Sequence, residues 1–208
     1  MNSMKRCLLS LPPLLLVSAG FAQADKAGGK AAGQQPQYVA EAPLPRAWPK
    51  PGPYNEVTLK NFPAYRAAYT PGWSSTFAFW RLFSHIKRKE IPMTAPVEMG
   101  MGQKGDRLGM RYMGFLYQHG EVGQAGKDGK RIEVFDMPAM QALSYTWQGG
   151  RNKAAMKTAR AALDKELKKR GLKSSDYRVL GYNGPGVPDE KKTWEMLLVL
   201  PGLDAAKP

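Results

Sequence analysis

Two histidines, one cysteine and a scatter of carboxylates make up the reactive inventory of this chain. There is no Gly-x-Ser-x-Gly elbow, no phosphate-cradling Gly-Lys-Ser/Thr loop and no His-x-x-x-His pair. The single cysteine, Cys7, falls in a segment read below as a removable leader, so the mature chain is expected to have no thiol chemistry and no disulfide. Glu98 and Glu195 sit in or beside apolar strand sequences, where a carboxylate must be paired to be buried. One partly buried glutamate is a weak catalytic signal, and the residues argue against an enzyme.

What remains points to binding. The segment from Trp73 to about Lys89 has helical spacing, with Phe79, Leu82, Phe83 and Ile86 as a core stripe. Phe77 and Trp80 add apolar surface on another side. A helix this apolar is buried on two sides or offers a surface to something flat and hydrophobic. Arg81, Lys87, Arg88 and Lys89 lie on or just after it, as a cationic rim that also suits the helix dipole. His85 stands near the helix C-terminus beside that rim, whereas His119 lies in a Gly-rich loop. Met93, Met99 and Met101 read as fillers of irregular apolar gaps.

These residues are embedded in an internal repeat. Val57-Thr-Leu-Lys-Asn-Phe-Pro-Ala-Tyr resembles Ile132-Glu-Val-Phe-Asp-Met-Pro-Ala-Met, with Pro63-Ala64 aligned on Pro138-Ala139. Each copy reads as two strands broken at the proline, which cannot donate a ladder hydrogen bond. A helix follows each copy, the second from Asn152 to Arg170 with Gly171 as C-cap. Two more strands follow each helix: Ile91 to Met99 and Arg107 to Tyr117 in the first half, Tyr177 to Tyr182 and Lys192 to Leu200 in the second. His119 to Lys130 reads as a surface loop. The expected fold is α+β: two pseudo-twofold β-α-β-β repeats forming a curved, mostly antiparallel sheet, a partly open barrel, with two packed helices.

The rest of the chain looks like export and tethering. Lys5 and Arg6, the apolar run Cys7 to Val17 and Ala22-Gln23-Ala24 predict a signal peptide over residues 1–24. The apolar run is too short and too Pro-broken for a good membrane span. An exported protein, periplasmic or secreted, is therefore expected. Removing Lys5 and Arg6 lowers the formal charge from +14 to +12, so the mature protein is basic in its own right and favours acidic partners. Residues 25–52, rich in Ala, Gly, Gln and Pro, read as a flexible tether from which only Trp48 stands out. A domain over 53–202 and a tail over 203–208 complete the organisation. No nucleic-acid-binding signature is present, so nucleic acid is not expected as a partner, and a monomer is.

One heptapeptide is family-specific. Ile91-Pro-Met-Thr-Ala-Pro-Val97 resembles the "I-x-M-T-x-P-V" strand of SOUL haem-binding proteins, preceded here by the pair His85-Ile86. Gly181-Tyr182-Asn183-Gly184-Pro185 is similar to the family's "G-Y-D-x-P" turn, and Thr193-Trp194-Glu195-Met196 to its closing "N-E-V" strand. Lys87-Arg88-Lys89-Glu90 replaces a longer loop that the family usually carries there. The resemblance implies a small-molecule tetrapyrrole, haem or another porphyrin, held in a hydrophobic groove beside the first helix with cations at the rim for the propionates. Phe77, Trp80, Arg81, Ser84, His85, Lys87, Arg88 and Met93 are the ligand-binding candidates. His85 is the candidate axial ligand to iron, although some members of the family hold haem by hydrophobic contacts alone. Two alternatives keep the same fold: another amphipathic small molecule as ligand, or a basic protein in peripheral contact with the anionic envelope surface.

Overall fold

The computed structural model describes residues 36–105 and 107–201. The expected signal peptide and the C-terminal tail lie outside the described residues. Nine strands form one sheet in the order β1-β7-β9-β8-β3-β4-β2-β6-β5, and every pairing between them is antiparallel. The strands are β1 (Val57–Phe62), β2 (Tyr65–Pro71), β3 (Val97–Lys104), β4 (Arg107–Leu116), β5 (Gly126–Asp128), β6 (Ile132–Met137), β7 (Met140–Gln148), β8 (Tyr177–Gly181) and β9 (Thr193–Val199). The sheet is open, with β1 and β5 at its edges, so the barrel does not close. Helices α1 (Ser75–Arg88) and α2 (Lys153–Lys169) pack on it, α1 over β4 and β2, α2 over β7, β9 and β1.

Proline explains the crossing of the two halves. Pro63-Ala64 separates β1 from β2, and Pro138-Ala139 separates β6 from β7, so neither pair closes a hairpin. Instead β1 pairs with β7 and β2 with β6, each half lending its first strand to the other. β3 and β8 meet in the middle, Met99 opposite Val179. The strand order from β1 to β6 is thus the same from either end once the halves are exchanged.

Two expectations change. The strand expected from Ile91 begins only at Val97, because Thr94 turns its hydroxyl onto the Leu116 carbonyl (2.6 Å) and Ala95 donates its N–H to the Pro43 carbonyl (3.0 Å). The loop expected over 119–130 contains β5, which extends the edge by pairing with β6.

Both faces of the sheet are covered, which is why β9 reads as a continuous apolar run and not as an alternating one. Met196 and Leu198 face the helices together with Leu82 and Ile86 of α1 and Leu163 and Leu167 of α2. Leu197 and Val199 belong to the other face, with Phe62, Tyr65, Tyr182 and Trp48. Among the described residues, no helix covers that second face. Part of the segment expected as a tether does: Tyr38, Leu44 and the buried Trp48 pack on it, Trp48 against Phe62 (ring centroids 4.9 Å) and Tyr65 (5.1 Å). From residue 36 onward the chain is therefore a strap held to the sheet.

Two fully buried carboxylates lie on the strap side. Glu98 of β3 accepts from the Tyr65 hydroxyl (2.8 Å) and from Arg178 Nη1 of β8 (3.3 Å), and Arg178 also binds Asp176 (3.2 Å). Glu195 of β9 accepts from Lys60 Nζ (2.5 Å), the Tyr182 hydroxyl (2.5 Å) and Ser144. Burial raises the pKa of Tyr65 and Tyr182 well above the ordinary phenol value, so both remain donors. Removing one partner of a buried ion pair leaves an uncompensated charge, at a cost of about 3–5 kcal/mol. Arg178→Ala is expected to lower unfolding free energy by that amount in urea titration, whereas Lys165→Ala on the exposed face of α2 leaves it within about 0.5 kcal/mol.

Candidate functional site

Helix α1 begins after Ser74, whose backbone is extended, and ends in His85, Lys87 and Arg88, cations that complement the C-terminal dipole. Ala78, Leu82, His85 and Ile86 form its buried face. The opposite face stays aromatic: Trp73 is 68% exposed, Phe77 60% and Trp80 58%. The rings form two groups, Trp73 stacking on Phe77 (5.6 Å), and Trp80 meeting Phe79 (5.8 Å) and Phe83 (5.6 Å) edge-on. Exposed aromatic groups of this size mark an interaction surface.

Phe79 and Phe83, expected in the core stripe, are only half-buried. They form one wall of a groove of about 260 Å³ whose other walls are Met93, Val97 and the turn Gly181–Gly184. The strap closes its end with Glu41, which accepts the Gly184 N–H at 2.7 Å. The family-specific heptapeptide and the Gly-Tyr-Asn-Gly turn are thus neighbours across this groove.

The eight expected ligand residues do not form one cluster. Trp80 and Met93 stand at the groove with Phe79 and Phe83. Lys87 is exposed and lies one turn beyond Phe83, on the same side of the helix. Ser84 is exposed on the outer face, and Phe77 stacks away on Trp73. Arg81, His85 and Arg88 point to the other flank. Arg81 donates to Thr70 of β2 (2.9 Å), and Arg88 binds Asp128 of β5.

His85 is 2% exposed, and both of its ring nitrogens are taken. Nδ1 lies 2.5 Å from Asp128 Oδ2, and Nε2 lies 2.7 Å from the Tyr117 hydroxyl. A carboxylate only accepts, so Nδ1 carries the proton, and the phenol occupies the other nitrogen. No lone pair is left for a metal in this arrangement, and the ring is on the far side of α1 from the groove. In this arrangement His85 ties α1 to β5 through Asp128 and to the end of β4 through Tyr117. Asp128 is the residue that sequence reasoning missed, because its position in a polar Gly-rich loop carries no signal of a partner 43 positions away. Among the described residues, no group of three His, Cys, Asp or Glu side chains converges to hold a metal.

The electrostatics agree with a structural clasp. The hydrogen bond from His85, then Arg88, holds the Asp128 carboxyl below its ordinary value, and desolvation pushes Tyr117 up to about 12.

The SOUL heme-binding protein family model matches residues 63–198, most of the described chain. The chain belongs to this family of binding proteins. Its fold is shared with the C-terminal domain of EcmrR (16% identity, covering 70% of this chain and 96% of that one, TM-score 0.53). It is also shared with an uncharacterised conserved protein from Listeria innocua (14% identity, 70% of this chain and 92% of that one, TM-score 0.53). Against the longer EcmrR in its DNA complex the chain spans 57% of the partner's length, at 15% identity and TM-score 0.53. At these identities the likeness concerns the fold alone. No curated protein matches.

The clasp has a testable pH signature. A carboxyl with a depressed pKa stabilises the fold above the unfolded value of about 4 and loses that contribution as pH falls through the lower folded value. Asp128→Asn is expected to lower stability by about 1–2 kcal/mol at pH 7. The difference from wild type should shrink towards pH 3, measured by urea unfolding at both pH values.

Proposed function

We propose that this protein binds haem or a related tetrapyrrole outside the cytoplasm, periplasmic or secreted, by laying the macrocycle against the aromatic ledge of α1 at the groove formed with Met93 and Val97. The observation that carries the reading is that ledge: large rings in contact with one another and left exposed, on the helix that precedes the family's heptapeptide. Face-on contact with Phe83 and edge contact with Trp80 supply apolar burial, and Lys87 is placed to pair with a propionate. Glu41 makes the strap end of the groove unfavourable for carboxylates, which directs the propionates towards the Lys87 end. When bound, haem supplies its own redox chemistry; this chain supplies the seat, the rim charge and partial exclusion of water. The leader-like residues Lys5, Arg6 and Ala22-Gln-Ala24 support an extracytoplasmic location.

Hemin titration of the mature protein followed at the Soret band tests this. Wild type is expected to saturate with a shifted band. The double substitution Trp80→Ala, Phe83→Ala should weaken binding by about tenfold or more through lost ring contact. His85→Ala should leave the band position unchanged. Failure of both hemin and protoporphyrin to bind saturably would overturn the reading, and vesicle co-sedimentation in its place would favour peripheral contact with an anionic surface.

A further inference from the structure

A larger concavity opens beside β4, β2 and β6, apart from the groove at Phe79 and Phe83. Its floor is aromatic: Tyr69 of β2, Tyr112 of β4 and Phe135 of β6, with Tyr69 edge-on to Tyr112 at 5.3 Å and tilted to Phe135 at 6.1 Å. Glycines make this floor. A Cβ at Gly100 would fall 2.0 Å from the Tyr112 ring, and one at Gly114 would fall 2.4 Å from the Tyr69 ring, so each phenol occupies the side-chain space of a glycine on the neighbouring strand, the two rings standing at 87° to each other. Their hydroxyls converge on Glu98, each at 3.4 Å, which fixes the rings from below. The strap residues Trp48 and Tyr38 pack beside Tyr65 and Tyr182 and do not line this cavity.

The rim is cationic. A register shift in the β3–β4 pairing, between Gly100 and Met101, leaves Arg111 of β4 out of the ladder, and its side chain lies across Gly102 beside Tyr112. Lys127 enters from β5, and Lys130 and Arg131 from the turn that follows it. Among the described residues none of these four cations makes a salt bridge, although the chain elsewhere pairs Arg66, Arg88, Arg170 and Arg178 with carboxylates. Glu133 is the one acid in the lining, so the lining carries a net positive charge. The cavity measures about 540 Å³, within the usual range for small-molecule sites of about 300–1,000 Å³.

An immobile aromatic floor combined with uncompensated cations on the rim is the recognition surface for a flat molecule with acidic edges. We propose that this cavity is a second binding site, which takes a planar aromatic anion carrying two or more carboxylate, sulfonate or phosphate groups. The ring stacks on Tyr112 and Phe135, and the acidic groups pair with Arg111, Arg131 and the turn lysines. The site shares no lining residue with the α1 groove, so it stands or falls apart from the tetrapyrrole reading.

Pyrene tetrasulfonate, a flat fluorescent polyanion, is the probe, with affinity read by fluorescence anisotropy on the mature protein at fixed ionic strength. Saturable one-to-one binding is expected, weakened about tenfold or more by the double substitution Arg111→Gln, Arg131→Gln. A control double substitution of equal charge, Lys165→Gln and Lys168→Gln on exposed α2, should change it less than twofold. Phe135→Leu, which keeps the floor apolar but removes a ring, should also weaken binding, with thermal unfolding confirming that the variant is folded. Equal weakening by the α2 control would reduce the effect to net charge and overturn the site. So would binding unchanged in the Arg111, Arg131 variant.

Discussion

The structure turns on supplying hydrogen-bond partners to two buried carboxylates. Glu98 and Glu195 are fully buried on the face of the sheet that, among the described residues, no helix covers, and a buried carboxylate is tolerable only with a complete set of donors. The fold supplies those donors from distant points in the chain. Arg178 reaches Glu98 because β8 is the direct neighbour of β3, and Lys60 reaches Glu195 across β7. Tyr65 and Tyr182 each bind one carboxylate through the hydroxyl and offer the ring to the strap. Trp48 meets the ring of Tyr65 and Tyr38 that of Tyr182. The strap thus seals both polar clusters through the same device, an aromatic placed on a tyrosine that holds a glutamate. This accounts for a segment of coil-like composition lying on the domain: its few aromatics are spaced to do one job each.

Local patterns disclosed most of the architecture. The Pro-Ala repeat, the two helical stretches and the Gly171 stop are nearest-neighbour features, and a single sequence carries them. Helix α2 runs from Lys153 with Asn152 as its N-cap, its side chain accepting from Ala155 N–H at 2.9 Å, close to the expected start. What local patterns did not carry was partner choice. The exchange of β1 and β6 between halves and the attachment of residues 36–52 depend on contacts spanning tens of residues, whereas β5 is a short hairpin with β6 masked by its polar, Gly-rich composition. The heptapeptide was misread as strand for the same reason, since its Thr and Ala spend their polar groups on β4 and the strap and not on a ladder.

The candidate site was legible in part, and the boundary is physical. Helical periodicity identifies Phe77 and Trp80 as surplus to the core, and both are exposed. It also assigns Phe79 and Phe83 to the core, because periodicity registers the side of a helix and not whether the neighbouring wall is close enough to cover it. The reading of His85 as a ligand rested on its nearness to Arg88, yet in the fold these two share a carboxylate. A histidine next to cations along a helix invites an anion from elsewhere in the chain, and Asp128 answers it.

The two concavities follow from how the sheet disposes of its glycines. On the helix side, cover comes from side chains of α1 and α2, so any opening there is a gap at a helix edge, narrow and lined by whatever that helix exposes. On the strap side, Gly100 and Gly114 remove side chains from adjoining strands, and the mutually perpendicular rings of Tyr112 and Tyr69 occupy that space. The strap does not line that region. The aromatic floor of the larger cavity is therefore written into the glycine positions of β3 and β4. Its charge is written separately, by a β-bulge that turns Arg111 and by the basic residues Lys127, Lys130 and Arg131 of β5 and the turn that follows it. Loss of either feature would leave the other without a role in binding, so the two belong to one site.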